Sequence, residues 1–102
     1  MARRLLSDAE IEAALARLPG WRREGNAITK EFQFRDFRAA MWFMNAAAAV
    51  ADQMDHHPEW CNVYNRVTVT LRTHDAGGVT ERDVQLAEAM ERAAGRPGQA
   101  AG

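Results

Sequence analysis

The sequence predicts an α+β fold: a two-layer sandwich in which three helices cover one face of a four-stranded antiparallel sheet. Three observations carry this reading. The elements run helix, hairpin, helix, one or two strands, helix, and strands that follow one another through turns pair antiparallel. Val67, Val69 and Leu71 alternate with Arg66, Thr68, Thr70 and Arg72, the pattern of a strand with one buried face. The helical segments are amphipathic, so each has a stripe to bury against that face.

Ser7 and Glu10 form a capping box, with Leu6 and Ile11 at staple spacing, and open a helix at about residues 8–18. Ile11, Leu15 and Leu18 make its apolar face, and Pro19-Gly20 stops it. Trp21 to Glu24 reads as a short strand and Gly25-Asn26 as a turn. Ile28, Phe32 and Phe34 then alternate with Thr29, Glu31 and Gln33, with Lys30 the exception on the apolar side. Asp36 caps the longest helix, about residues 37–55. Phe37, Met41, Met44, Ala48 and Ala51 mark one face of it, and Arg38, Asn45 and Asp52 a narrow polar stripe. Trp42, Phe43, Ala46, Ala49 and Val50 are apolar on further sides, so this helix has more than one surface to bury.

Pro58 ends that helix. Trp60 to Thr73 is rich in Val, Thr, Tyr and Trp and reads as strand. Asn65 offers a break; counted as two strands, the run completes a sheet of four. Asp75-Ala-Gly-Gly78 is a turn, and Thr80 with Asp83 makes a second capping box that opens a helix at about residues 81–94. Its inner face carries Leu86, Ala87, Met90 and Ala94.

A chain of 102 residues is one domain, assigned here to residues 1–94, with 95–102 a disordered C-terminal tail. Hydrophobic residues make 47%, but 20 of them are Ala, so large core side chains are few. That lean core predicts burial against a second copy, as a homodimer or homotetramer, through the long helix. Thirteen Lys and Arg face fourteen Asp and Glu, a net charge of −1, which argues against nucleic acid as a partner. The most apolar stretch, residues 39–54, holds Asn45, Asp52 and Gln53 and is too short to span a membrane. The lone Cys61 has no internal disulfide partner and reads as a small buried hydrophobe. With no apolar run of signal-peptide length after the N-terminus, a cytoplasmic location is expected.

The three histidines, His56, His57 and His74, fall within nineteen residues, each at an element end where catalytic groups commonly collect. Asp52, Asp55, Glu59, Asp75 and Asp83 supply carboxylates nearby. Three readings compete. A metal site suits histidine with carboxylate, but adjacent histidines in extended chain point to opposite sides, and no His-x-His or His-Glu-x-x-His spacing exists. No metal is therefore expected. Acid–base catalysis needs groups that titrate near neutrality, and two imidazoles can divide the giving and taking of a proton. The third reading is structural: capping and surface histidines, with Asp83 serving as a helix cap and able also to orient an imidazole. The residues alone leave the second and third readings open.

The run Asp52-Gln-Met-Asp55-His56-His57-Pro58-Glu59-Trp60, then Asn62-Val-Tyr64-Asn65, Thr73-His74 and Thr80-Glu-Arg82-Asp83, resembles the signature of the pterin-4a-carbinolamine dehydratases. Asp52, His56-His57-Pro58, Tyr64, His74 and Asp83 match in order and gap. Gly20-Trp21, Phe32, Phe34, Asp36-Phe37 and Phe43-Met44 resemble the family as well. The departures are Asp52, where Glu is common, and Cys61, where an aromatic is common.

The resemblance implies dehydration of 4a-hydroxytetrahydropterin to quinonoid dihydropterin, in the recycling of the tetrahydropterin used by aromatic amino acid hydroxylases. It implies no cofactor, in keeping with the absence of a Gly-x-Gly-x-x-Gly motif. By resemblance His56 and His74 are the acid–base pair, His57 holds the ligand, and Asp83 is the acidic catalytic position with Arg82 beside it. Pro58 and Trp60 are expected to wall the pterin, with Trp60 equally suited to the core; Thr73, His74, Asp75 and Arg82 are expected to contact it, and Asp52 to handle protons. Some members of the family also act as dimerisation cofactors of a homeodomain transcription factor. The surface for such a role here is the Trp42, Phe43 and Val50 side of the long helix.

Overall fold

Each helix begins where its capping residue dictates. Ser7 Oγ accepts from the Glu10 N–H and Glu10 Oε1 accepts from the Ser7 N–H, which opens α1 at Asp8–Ala16. Asp36 accepts from the Ala39 N–H and opens α2, Phe37–Met54. Thr80 and Asp83 close the second capping box and open α3, Glu81–Ala94. The structure is a computed structural model that describes residues 4–95. Gly95 ends α3, and the rest of the expected disordered tail lies outside the described residues.

The strands are β1 (Arg22–Glu24), β2 (Ala27–Gln33), β3 (Glu59–Val63) and β4 (Arg66–Leu71). They form one antiparallel sheet in the order β1-β2-β4-β3. Tyr64-Asn65 makes the break expected at Asn65. Ile28 stands opposite Leu71, Phe32 opposite Val67, and Val69 between Lys30 and Trp60. Residues directly opposite share a face, so this register gathers one apolar layer. Ile11 from α1, Phe43 from α2, and Leu86 and Met90 from α3 join it in a single core. The fold class is the one predicted.

Four local expectations are corrected. α1 ends at Ala16, not residue 18, because the chain tightens to i→i+3 bonds from Arg17 to Ala14 and Leu18 to Leu15; Leu18 is buried nonetheless. The inner face of α2 is Ala39, Ala40, Phe43, Ala47 and Ala51, whereas Phe37 is 49% exposed. The small alanines let the helix approach the sheet closely, and one large side chain fills the gap. That side chain is Phe43, fully buried with its ring centroid 4.6 Å from Phe32 and 5.0 Å from Phe34, so it does not belong to the outer surface of the helix. Cys61 is exposed rather than buried, because its register partner is Thr68 on the polar face of the sheet.

Lys30, the polar residue on an apolar stripe, has a partner waiting. Its Nζ donates to Glu91 Oε2 at 2.6 Å and to the Pro19 carbonyl at 2.8 Å, and lies 4.5 Å from the Phe32 ring centroid. Trp21 Nε1 donates to the same Glu91 oxygen at 2.8 Å. One carboxylate on α3 thus serves two donors rising from the sheet layer. Glu91→Ala leaves an ammonium and an indole N–H without it in a half-buried place and should cost about 1.5–3 kcal/mol. Urea denaturation checks this; an unchanged midpoint would show the cluster to be dispensable.

Candidate active site

The end of α2 aims His56 at the start of α3. Asp55 adopts φ 53°, the left-handed conformation, and its N–H bonds to the Asp52 carbonyl while that of His56 bonds to Ala51. This is a Schellman turn, with Asp where glycine is commonest. Arg82 Nη2 donates to the carbonyls of Met54 and Asp55, tying the last turn of α2 to the first turn of α3.

His56 then meets a buried carboxylate. His56 Nε2 lies 2.6 Å from Asp83 Oδ1, with His56 8% and Asp83 0% exposed. Asp83 Oδ2 accepts from the Thr80 N–H and the Thr73 hydroxyl, each at 2.9 Å. The cap of α3 and the holder of the imidazole are therefore one side chain. A buried carboxylate needs such partners, and the first turn of a helix supplies positive potential besides.

Thr73 follows Val67, Val69 and Leu71 at two-residue spacing and is buried like them. Its N–H bonds to the Gly78 carbonyl at 2.8 Å, closing the turn predicted at 75–78, where Gly77 takes φ 79°. The neighbouring His74 faces solvent on the rim, its Nε2 3.1 Å from Glu59 Oε2. Arg72 Nε approaches the same oxygen at 3.6 Å. His57, also exposed, has Nε2 3.2 Å from Asp52 Oδ1. All three imidazoles thus have a carboxylate at Nε2, one pair buried and two exposed.

A cleft of about 520 Å³ gathers most of the predicted site: His56, His57, Pro58, Thr73, His74, Asp75 and Arg82 line it, with Asp55, Glu59 and Arg72. Two of the expected site residues, Trp60 and Asp52, stand outside the cleft. Trp60 does not line the cleft; its register opposite Val69 packs it against the core, the other place its sequence suited. Asp83 lies behind His56, fully buried in its own hydrogen bonds. Asp52 is outside the cleft and exposed, reaching it only through His57. Arg82 does line the cleft, with one nitrogen held by the carbonyls of α2.

Sequence reasoning named Glu59 only as a nearby carboxylate, Thr80 only as a helix cap and Arg72 only as a strand residue on the polar face. Glu59 and Arg72 carried a signal, since they flank the His-His-Pro and Thr-His segments. Among the described residues no group of three or more His, Cys, Asp or Glu is arranged to hold a metal ion, and no helix is long and apolar enough to cross a membrane. A second depression of about 390 Å³ beside Lys30, Glu31 and Gln33 contains no imidazole.

The family model for pterin 4 alpha carbinolamine dehydratase matches residues 4–93. A protein of Afipia carboxidovorans whose name places it in that family is 55% identical over 96 residues, covering 92% of this chain and 96% of the relative. One of Novosphingobium aromaticivorans, named likewise, is 57% identical over 88 residues, covering 84% and 92%. The crystal structure of a transcriptional coactivator/pterin dehydratase from Brucella melitensis superposes with a TM-score of 0.88 at 48% identity, covering 90% of this chain and all of that one. With the His-His-Pro turn, the Thr-His rim and the capping Asp gathered around one cleft, and with relatives this similar over nearly the whole length, the chain belongs to the pterin-4a-carbinolamine dehydratase family of lyases.

Proposed function

We propose that this chain dehydrates a 4a-hydroxytetrahydropterin to the quinonoid dihydropterin, with His56 and His74 as the acid–base pair. The observation that carries the reading is the single cleft that holds both imidazoles, each with a carboxylate at its Nε2. The elimination breaks the C4a–O bond and the N5–H bond and forms C4a=N5. Hydroxide leaves poorly, so one group must protonate it as another takes the N5 proton; the water formed carries away the oxygen, and no electrons are exchanged with a cofactor.

His56, held by Asp83, takes the N5 proton at its free nitrogen. His74, exposed on the rim beside Glu59, gives its proton to the departing hydroxyl. The two rings exchange a proton with solvent to reset. His57 with Pro58 holds the flat ligand, and the backbone of Thr73-His74-Asp75 offers it hydrogen-bonding groups. Arg82 acts on the site by fixing the turn that carries His56, and Asp52 by holding His57.

A second surface favours assembly. Phe37 and Trp42 are large apolar residues exposed on the outer side of α2. That side is proposed to pair copies of the chain into a dimer or tetramer, and the Brucella relative's coactivator name raises the same surface as a docking face. Sedimentation at micromolar concentration should show an oligomer that Trp42→Glu weakens; a monomer throughout would contradict it.

His56→Ala or His74→Ala should lower kcat by a factor on the order of 10²–10⁴, less where one ring covers for the other, and the double variant should be worse than either. His57→Ala should chiefly raise KM. Stopped-flow decay of the synthetic carbinolamine measures both. A folded double variant with full activity would remove the acid–base assignment.

A further inference from the structure

Behind His56 the hydroxyls of Thr73 and Thr80 form a buried chain to which neither the helix cap nor the acid–base pair assigns a task. Thr73 is 1% and Thr80 0% exposed. Their Oγ1 atoms are 2.7 Å apart, and Thr73 Oγ1 is 2.9 Å from Asp83 Oδ2. The Arg82 N–H donates to Thr80 Oγ1 at 3.2 Å. Capping explains that last bond. It does not explain where the Thr80 proton goes, nor why residue 73 carries a hydroxyl on a stripe otherwise made of Val67, Val69 and Leu71.

Counting protons settles the direction of the chain. An ionised Asp83 can only accept, and each threonine has a single proton to give. Thr73 donates to Asp83, so Thr80 must donate to Thr73, and the Thr80 oxygen receives the Arg82 N–H. The chain runs one way, from α3 backbone to Thr80 to Thr73 to Asp83. With Asp83 Oδ1 also limited to accepting, the His56 ring must present Nε2–H to it. The lone pair of the neutral ring is then on Nδ1.

We infer that Thr73 and Thr80 are positioning residues whose one-way hydroxyl chain holds Asp83 as an acceptor and fixes His56 as the Nε2–H tautomer with Nδ1 as its basic nitrogen. The inference deepens the proposed function and rests on it only for its kinetic consequence. Asp83 spreads its charge over three donors: His56, Thr73 and the Thr80 N–H. Withdrawing the Thr73 hydroxyl concentrates that charge on His56, so the carboxylate holds the ring N–H, and the protonated ring, more strongly. Withdrawing the Thr80 hydroxyl weakens Thr73 as a donor and acts the same way, by less. The other charged and titratable groups around His56 are Asp55 and His57 beside it, Glu59 on β3, Arg72, His74 and Asp75 after β4, and Arg82 on α3. None of them changes in the test.

Nitrogen-15 NMR of the full chain reads the His56 tautomer and its Hε2 resonance, and kcat for the synthetic carbinolamine is followed against pH. The wild-type neutral ring should carry its proton on Nε2. Thr73→Val should shift Hε2 downfield and move the acid limb of kcat to higher pH. Thr80→Val should move both by less, and Thr73→Ser and Thr80→Ser should restore them. A wild-type ring protonated on Nδ1 overturns the inference with no variant needed, which covers the case of a valine variant that fails to fold. So does a folded Thr73→Val with Hε2 unmoved, and Thr80→Val with Hε2 unmoved removes Thr80 from the chain. If Hε2 moves but the acid limb does not, the hydroxyl chain stands and His56 is not the catalytic base.

Discussion

The Asp83 carboxylate is the point at which the fold and the site become one object. One oxygen closes the capping box of α3 and receives the hydroxyl that arrives from the end of β4; the other holds His56 from the end of α2. Three elements distant in sequence are thereby fixed to one another at a single side chain. Removing a partner from such a buried group costs more than the bond is worth, because the remaining donors stay dry and unpaired. The residues that carry this junction are consequently those with least freedom to vary in chemistry.

The rest of the structure brings the elements to that junction. The antiparallel sheet delivers Thr73 at the end of the β4 alternation, and the Schellman turn reverses the chain so that His56 points back inward. Arg82, from α3, clasps the carbonyls of that turn. Alanines on the inner side of α2 allow a short chain to close a core with Phe43 as the one large side chain of that helix face. The exposed imidazoles, His57 and His74, then stand on the rim of a cleft whose buried wall is already organised.

Much of this was legible in the sequence because its signals are local. Capping boxes at Ser7-Glu10 and Thr80-Asp83 depend on residues three apart, and strand alternation depends on residues two apart, so both could be read directly. The histidines stood out by clustering at element ends, and the His-His-Pro turn with Thr73-His74 by resemblance to the family signature. What depended on the third dimension was not legible. The inner side of α2 was misjudged because alanine packs as well as a larger residue when the sheet is close, so Phe37, Met41 and Met44 outweighed Ala39, Ala40 and Ala47 in the pattern. Trp60 packs against the core and Cys61 is exposed because strand register, not residue type, chooses the face. The Thr80–Thr73–Asp83 chain joins the end of β4 to a helix cap, and only the closed turn at 75–78 brings them together.

The central claim is that the Asp83 carboxylate makes His56 a working base. The most direct test is Asp83→Asn, which keeps the shape of the side chain and removes its charge. Stopped-flow measurement on the synthetic carbinolamine should show kcat lowered by a factor on the order of 10²–10⁴, with KM little changed, since an amide facing the imidazole no longer supports the required tautomer or its protonated form. A folded Asp83→Asn protein with wild-type kcat across the pH range would contradict the account.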